Sequence, residues 1–94
     1  MNIVWLSKAI QDLEALQEYV AYDNLQAAEF MSKRILTVVN LLANQPSMGR
    51  PGRVKNTREL IITDTPYVIP YRIKHNKLEI LRILHAARRW PNNF

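Results

Sequence analysis

Residues 57–84 read TRELIITDTPYVIPYRIKHNKLEILRIL, and this stretch decides the fold. It contains three runs rich in β-branched and aromatic residues, at 57–63, 67–74 and 78–84, and this composition is typical of strands. Two turn signals separate the runs, Asp64-Thr65-Pro66 and His75-Asn76-Lys77. Links this short join antiparallel neighbours, so the stretch predicts a three-stranded antiparallel sheet.

Pro70 lies inside the second of these runs. Proline has no N–H to donate to a neighbouring strand. We therefore expect Pro70 at a bulge, or at a position whose N–H would lie outside the hydrogen-bond ladder.

The residues before this stretch predict one further strand and two helices. Residues 2–6 are largely β-branched or aromatic, which favours a short strand. Residues 9–22 and 25–43 place apolar side chains three and four positions apart, which is helical spacing. Ser7 and Asn24 stand where N-caps are expected.

A loop connects the helices to the sheet. Pro46 ends the second helix, and residues 47–56 contain both glycines of the chain. The predicted order is β-α-α-β-β-β, which indicates an α+β fold with two helices on one face of a mostly antiparallel sheet. From the length we expect the 94 residues to form a single domain, residues 1–94.

The composition excludes several kinds of site. No cysteine is present, which removes disulfides, thiolate nucleophiles and cysteine zinc sites. The two histidines have no partner at ligand spacing, and no glycine-rich phosphate loop precedes a helix. We expect no metal and no cofactor. No leader-like segment and no run of about eighteen apolar residues is visible, so we expect a cytoplasmic protein without a membrane partner.

The charge is divided between the two halves of the chain. Residues 1–48 carry three cations and five anions, whereas residues 49–94 carry ten cations and three anions. A segregated basic half predicts an anionic partner such as nucleic acid or an acidic protein. The alternative is a basic domain that binds nothing anionic.

His85 ends the last predicted strand, close to Arg88 and Arg89. One interpretation is a general acid or base. The other is a strand-end histidine whose ring packs and whose nitrogen bonds the backbone. We favour the second, because no carboxylate or nucleophile partner is visible.

Arg58 and Glu59 open the first strand of the predicted sheet. Neighbouring residues in a strand face opposite sides, so these two side chains do not pair across one face. We expect one of them to face the helices and to pair there. Its role is either catalytic or that of a buried ion pair that holds the loop to the core.

The loop before this strand carries Arg50, Arg53 and Lys55. Arginine suits bidentate contact with phosphate or carboxylate, which makes the loop a candidate binding segment. The alternative is a solvated basic loop.

A second basic segment, Arg88-Arg89-Trp90-Pro91, follows the sheet. Trp90 offers a surface on which a base can stack. We favour instead a Trp90 that caps the end of the sheet, because Pro91 restricts its exit and large aromatic side chains bury area.

One ordered set of residues runs through nearly the whole chain: Trp5, Ala9, Asp12-Leu13, Tyr19, Ala27-Ala28, Ile35, Leu42, Pro46, Gly49-Arg50-Pro51-Gly52-Arg53-Val54, Thr57-Arg58-Glu59-Leu60, Tyr67-Val68-Ile69-Pro70-Tyr71-Arg72, Glu79-Ile80-Leu81-Arg82-Ile83-Leu84-His85 and Arg88-Arg89-Trp90-Pro91. This set resembles the RelE/ParE superfamily of type II toxin–antitoxin toxins. The resemblance implies the same fold as the residue patterns. It also implies a cognate antitoxin that neutralises the toxin.

Within that superfamily the chain is most similar to the ParE branch, through its ending from His85 to Pro91. Members of the RelE branch carry basic residues on the first strand of the sheet and an arginine after the tyrosine that opens the next. This chain has Leu60 and Ile61 on that strand and Val68 after the tyrosine.

The resemblance therefore implies a growth-arresting toxin that inhibits DNA gyrase, is not itself an enzyme, and belongs to a module of the plasmid-stabilisation type. It also implies a hetero-oligomer with the antitoxin that binds operator DNA. The residues expected to contact target or antitoxin are Arg50, Arg53, Lys55, Arg58, Arg88, Arg89 and Trp90.

Two alternatives remain open. In a ribosome-dependent mRNA endonuclease, His85 is the acid or base, and Arg58, Arg72 and Arg88 stabilise the developing phosphorane charge. In a degenerate module, the protein binds its antitoxin and operator DNA but harms nothing.

Overall fold

The chain forms two helices and six strands, and the computed structural model describes every residue from Met1 to Phe94. In chain order the elements are β1 (Asn2–Trp5), α1 (Ser7–Asp23), α2 (Leu25–Leu41), β2 (Arg50–Pro51), β3 (Arg58–Ile61), β4 (Tyr67–Lys74), β5 (Lys77–Ile80) and β6 (Leu84–His85).

One sheet holds all six strands in the order β1-β5-β4-β3-β2, and β6 pairs with the first part of β4. The central β4 is antiparallel to β3, β5 and β6. β1 runs parallel to β5, with Ile3 opposite Leu78 and Trp5 opposite Ile80. The parallel pair is possible because the two helices carry the chain back between these strands. The sheet is therefore larger than the three strands predicted, although the antiparallel hairpins at its centre are confirmed.

Both helices lie against one face of the sheet. The core between the layers consists of buried apolar side chains from both: Ala9, Leu16, Ile35, Val39, Leu42, Leu60, Ile62, Ile69, Tyr71, Leu78, Ile80 and Ile83. Because side chains alternate along a strand, the intervening residues face the other side. We call that side the outer face; its residues include Glu59, Ile61, Val68, Pro70, Arg72 and Glu79.

Pro70 lies opposite a bulge. Tyr71 pairs with Ile80, but Val68 pairs with Leu84, so three residues on one side face two on the other. This extra residue separates β5 from β6 and divides the single strand predicted at 78–84. The Pro70 carbonyl still accepts from the Leu81 N–H at 3.0 Å. The predicted position of Pro70 at a bulge is confirmed.

The start of α1 differs from the prediction. Ser7 is already helical, the N-cap position is Leu6, and no side chain caps the helix. The Leu6 N–H donates to the Ile80 carbonyl at 3.0 Å, so the helix begins where the strand ends and leaves no room for a cap residue between them. At α2 the predicted cap is confirmed, since the Asn24 side chain accepts from the Ala27 N–H at 3.0 Å. Neither helix is long and apolar enough to cross a membrane.

Candidate functional site

The basic loop is fastened to the outer face by one buried carboxylate, that of Glu59. Its side chain is 3% exposed. Oε1 accepts from Arg50 Nε at 3.1 Å and Nη2 at 2.9 Å, and Oε2 accepts from the Arg53 N–H at 2.8 Å. A buried carboxylate with three donors on it is fully compensated, so its role here is to hold the loop.

Arg58 behaves differently from the prediction. It shares the helix-facing side of β3 with Leu60, but its guanidinium binds carbonyls of the loop, Gly49 at 2.8 Å and Ser47 at 3.4 Å. The ion pair forms on the opposite face, at Glu59. The prediction that one of the two residues pairs at the helix layer was therefore wrong, because the loop folds back across the edge of the sheet and reaches both of its sides.

A tyrosine from the core completes this attachment. The Tyr71 hydroxyl donates to the Pro46 carbonyl and accepts from the Gly49 N–H, each at 2.8 Å. A Cβ atom on Gly49 would lie 2.6 Å from Tyr71 Cε1, so this close approach requires glycine. Burial raises the pKa of Tyr71, and the Gly49 hydrogen bond and the Arg58 charge oppose that change.

The loop also contacts the C-terminal segment. The guanidinium carbon of Arg53 lies 3.8 Å from the centre of the Trp90 ring, a cation–π stack. Trp90 Nε1 donates to the His85 carbonyl at 3.1 Å. One face of the indole is therefore occupied by Arg53 in the protein as it stands.

Behind Trp90, the C-terminal segment and α1 enclose a cavity of about 380 Å³. His85 lies in it, opposite Tyr67, with the two rings edge to face and their centroids 5.7 Å apart. His85 Nδ1 accepts from the Ala87 N–H at 3.1 Å, which leaves Nε2 as the nitrogen that carries the proton. Burial raises the pKa of Tyr67, the charge of Arg88 acts against this, and Tyr19 adds to it.

A groove of about 670 Å³ lies at the other end of β4. Arg58, Arg72 and Lys74 line it. Arg72 Nε donates to Glu79 at 2.7 Å, and this hydrogen bond lowers the pKa of the Glu79 carboxyl.

The residues proposed for a ribonuclease site are therefore divided between two places. His85 and Arg88 line the cavity beside Tyr67, whereas Arg58 and Arg72 line the groove at the far end of β4. Register places Arg58 opposite Tyr71, four residues along β4 from Tyr67. Four residues of strand span about 13 Å, so these side chains do not converge on one phosphate.

No group of three histidine, aspartate or glutamate side chains lies close enough together to hold a metal ion.

Comparison with known proteins identifies the family. Residues 3–90 match the family model of the ParE toxin of type II toxin–antitoxin systems. The chain belongs to this family. It is 45% identical over 90 residues to the toxin-type protein Y4kP of Sinorhizobium fredii, covering 96% of this chain and 93% of the relative. It is 37% identical over 87 residues to toxin RelE2 of Caulobacter vibrioides, covering 93% and 97%.

A solved structure extends the likeness to the fold. A chain of the chromosomal ParDE toxin–antitoxin system from P. aeruginosa matches with a TM-score of 0.80 and 34% identity, covering 90% of this toxin and 95% of that chain. The α+β fold and the ParE-type resemblance are thereby confirmed.

Three residues predicted to contact target or antitoxin remain to be placed: Lys55, Arg88 and Arg89. Lys55 is exposed in the loop and has no carboxylate within 4.0 Å. Arg88 and Arg89 are exposed, and both line the cavity behind Trp90.

Sequence reasoning missed the pair that joins α1 to the last strands. Arg82 donates to Asp12 from Nε at 2.7 Å and from Nη2 at 3.1 Å, and the Ile83 N–H donates to the same carboxylate at 3.0 Å. The Asp12 hydrogen bond raises the pKa of Arg82 above its usual value. These residues are 70 positions apart, so no local pattern indicates the contact.

Proposed function

We propose that this toxin arrests growth by inhibiting DNA gyrase and is not an enzyme in its own right. One observation carries the proposal: the residues that a ribonuclease would need lie at opposite ends of β4. His85 faces Tyr67, whereas Arg58 lies opposite Tyr71. Phosphoryl chemistry requires an acid or base and charge-stabilising cations around one phosphate, and this spacing does not provide that arrangement.

The outer face supports the same proposal. Ile61, the last residue of β3, is 47% exposed there, whereas its cross-strand partner Val68 is 4% exposed. One exposed apolar side chain on a sheet with basic flanking segments suits contact with a protein whose own surface borders on bound DNA. Gyrase with its DNA segment is a partner of this kind.

We further propose that the toxin is neutralised in the cytoplasm by a cognate antitoxin, in a hetero-oligomer that also binds operator DNA. The matched P. aeruginosa chain comes from a system that is named as a toxin–antitoxin pair. α2 carries exposed apolar side chains, Phe30 at 69%, Leu36 at 41% and Leu41 at 47%. Such an apolar helix surface is typical of one that a partner segment covers.

A supercoiling assay with purified gyrase tests the gyrase proposal. We expect the wild-type toxin to inhibit supercoiling and to trap cleaved DNA. Replacing Arg88 and Arg89 by glutamate is expected to weaken inhibition at least tenfold, because both side chains are exposed and carry no ion pair. Lys8→Glu with Lys33→Glu makes the same change of charge on the helices and is the matched control. If supercoiling is unaffected at a large excess of wild-type toxin, the proposal is wrong.

A second candidate is the ribosome-dependent mRNA endonuclease. Two observations favour it: a relative is named toxin RelE2, and His85 and Arg88 line one cavity. Primer extension on translated messages distinguishes the two. Codon-phased cuts that disappear in His85→Ala support cleavage, and their absence after induction of wild-type toxin counts against it.

A further inference from the structure

The hairpin between β4 and β5 carries an exposed basic segment outside the contacts described above. Its tip is Lys74-His75-Asn76-Lys77, and all four residues are exposed. His75 and Asn76 have φ of 52° and 61°, as the two central residues of a type I′ turn require. The tip contains no acidic and no apolar side chain.

The two lysines are placed against each other. Lys74 lies directly opposite Lys77 in the register of β4 and β5. Like charges at directly opposite positions destabilise a hairpin. Neither lysine has a carboxylate within 4.0 Å, and Glu79, whose carboxyl accepts from Arg72 at 2.7 Å, feels the charge of Lys74 without forming an ion pair with it. An unfavourable pair of cations that forms no ion pair within the chain indicates a role outside it.

The groove beside the hairpin adds further donors. Arg58 lies in it, bound only to carbonyls, so its positive charge has no counter-ion. β3 begins at Arg58, opposite Tyr71, so the last residues of β4 have no neighbour on that side. The Ile62 N–H donates to the Tyr67 carbonyl, so the backbone polar groups of Tyr67 face β3. Backbone N–H and C=O groups point to alternate sides from one residue to the next along a strand, so every second residue of β4 after Tyr67 faces the same way. The N–H of Ile73 therefore points towards the groove.

We propose that this basic hairpin, Lys74-His75-Asn76-Lys77 together with Arg58, binds the phosphate backbone of duplex DNA. A two-stranded β-ribbon is narrow enough to enter the major groove, and ribbons are used in this way by several classes of DNA-binding protein. Lysines at the tip then contact phosphates on either side. A protein partner is less well matched, because the four tip residues include no apolar or aromatic anchor and the groove beside them offers one large exposed apolar side chain, Ile73 at 49%.

This inference rests on the proposed function, in which the toxin meets gyrase with its DNA. The hairpin is separate from the cavity and from Trp90, so it supplies a second contact on the same target. Once the toxin is bound to gyrase, the hairpin lies close to the DNA that gyrase holds, so the effective concentration of that DNA at the hairpin is high.

Fluorescence anisotropy of a labelled duplex with the purified full-length toxin tests the proposal. The variant is Lys74→Ala with Lys77→Ala, and the control is Lys8→Ala with Lys33→Ala, which removes the same charge from exposed positions on the helices. Each phosphate contact contributes about 0.9 to the slope of log affinity against log salt. We therefore expect the hairpin variant to bind roughly tenfold more weakly with a slope lower by about 2, and the control to resemble the wild type.

Three outcomes would overturn the proposal. The first is that wild-type toxin does not bind the duplex. The second is that the hairpin variant and the control lose equal amounts of duplex affinity. The third is that a polyglutamate peptide at equal charge concentration displaces the duplex completely. The last outcome would assign the hairpin to an acidic protein segment. Supercoiling inhibition is measured in parallel. If it persists while duplex binding is absent, only the hairpin proposal fails; if duplex binding depends on the hairpin but gyrase is unaffected, only the gyrase proposal fails.

Discussion

The guanidinium of Arg53 lies 3.8 Å from the centre of the Trp90 ring and joins the two basic segments that flank the sheet. The loop residue is itself held by the Glu59 carboxylate through its backbone N–H, and the indole is held by the His85 carbonyl. The loop and the C-terminal segment are thus connected through one stacked pair.

This stack predicts a measurable coupling. Arg53→Gln and Trp90→Leu, made singly and together, form a double-mutant cycle. Because Arg53 is 54% exposed, we expect a coupling free energy of about 0.5–1 kcal/mol. Urea unfolding measures it. Strictly additive effects of the two changes would show that the stack contributes nothing to stability.

Glu59 is expected to be the most sensitive charged position. Glu59→Gln keeps the shape of the side chain but weakens the hydrogen bonds from Arg50 and from the Arg53 N–H. The expected loss in the free energy of unfolding is about 2 kcal/mol, or roughly 10 °C in Tm for a domain of this size. Glu29→Gln, at an exposed position on α2 without an ion pair, is the control and is expected to change Tm little. Equal stability of the two variants would contradict the role assigned to Glu59.

Gly49 is expected to tolerate no side chain. In Gly49→Ala the new methyl group would meet Tyr71 Cε1 at 2.6 Å and the hydroxyl oxygen at 2.7 Å, and the tyrosine is fixed in the core. We expect a loss of about 1–3 kcal/mol in the free energy of unfolding. Ser47→Ala, two residues earlier in the same loop, removes an exposed hydroxyl that makes no hydrogen bond and serves as the comparison. A wild-type Tm for Gly49→Ala would show that the loop moves away from Tyr71 without cost.

Stability in acid is expected to depend on Glu79. The hydrogen bond from Arg72, followed by the charges of Arg72, Lys74 and His75, lowers the pKa of this carboxyl below its usual 4.5. The stabilisation that this ionised carboxyl adds to the free energy of unfolding is therefore complete above pH 4.5. It disappears as the pH falls through the lowered pKa of the folded state. Glu79→Gln removes this dependence, so its unfolding free energy should fall less steeply below that pH. Urea unfolding at a series of pH values, with Glu14→Gln as control, measures the difference; parallel curves for Glu79→Gln and wild type would refute it.

Local patterns predicted the two helices, β1 and the central hairpins, but not β2, which lies in the segment 47–56 predicted to be a loop. The spacing of apolar residues predicted both helices, and the turn His75-Asn76 predicted the hairpin whose two central residues have positive φ. The missing N–H of Pro70 predicted either a bulge or a position outside the hydrogen-bond ladder, because proline has no donor for a neighbouring strand. Each of these properties depends on residues within a few positions of one another.

Contacts between distant residues were outside the reach of such patterns. The pairing of β1 with β5, the Asp12–Arg82 ion pair and the hydrogen bonds of Tyr71 to the loop all join residues that are far apart in the chain. Composition indicated that Arg50 and Arg53 were available for binding. It did not indicate that one carboxylate would hold both of them against the sheet.

The sequence by itself determined the α+β class and the basic character of the second half, because periodicity, turn residues and charge are properties of neighbouring positions; the toxin family followed from the resemblance of an ordered set of residues to known toxins. Only the tertiary structure decided which basic side chains are bound internally and which are free. It placed Arg50, Arg53 and Trp90 in contacts within the protein, separated His85 from Arg58 along β4, and left Lys74 and Lys77 without an ion pair. The physical reason is that an ion pair or a catalytic group depends on distances of a few ångström between atoms, and folding alone sets those distances.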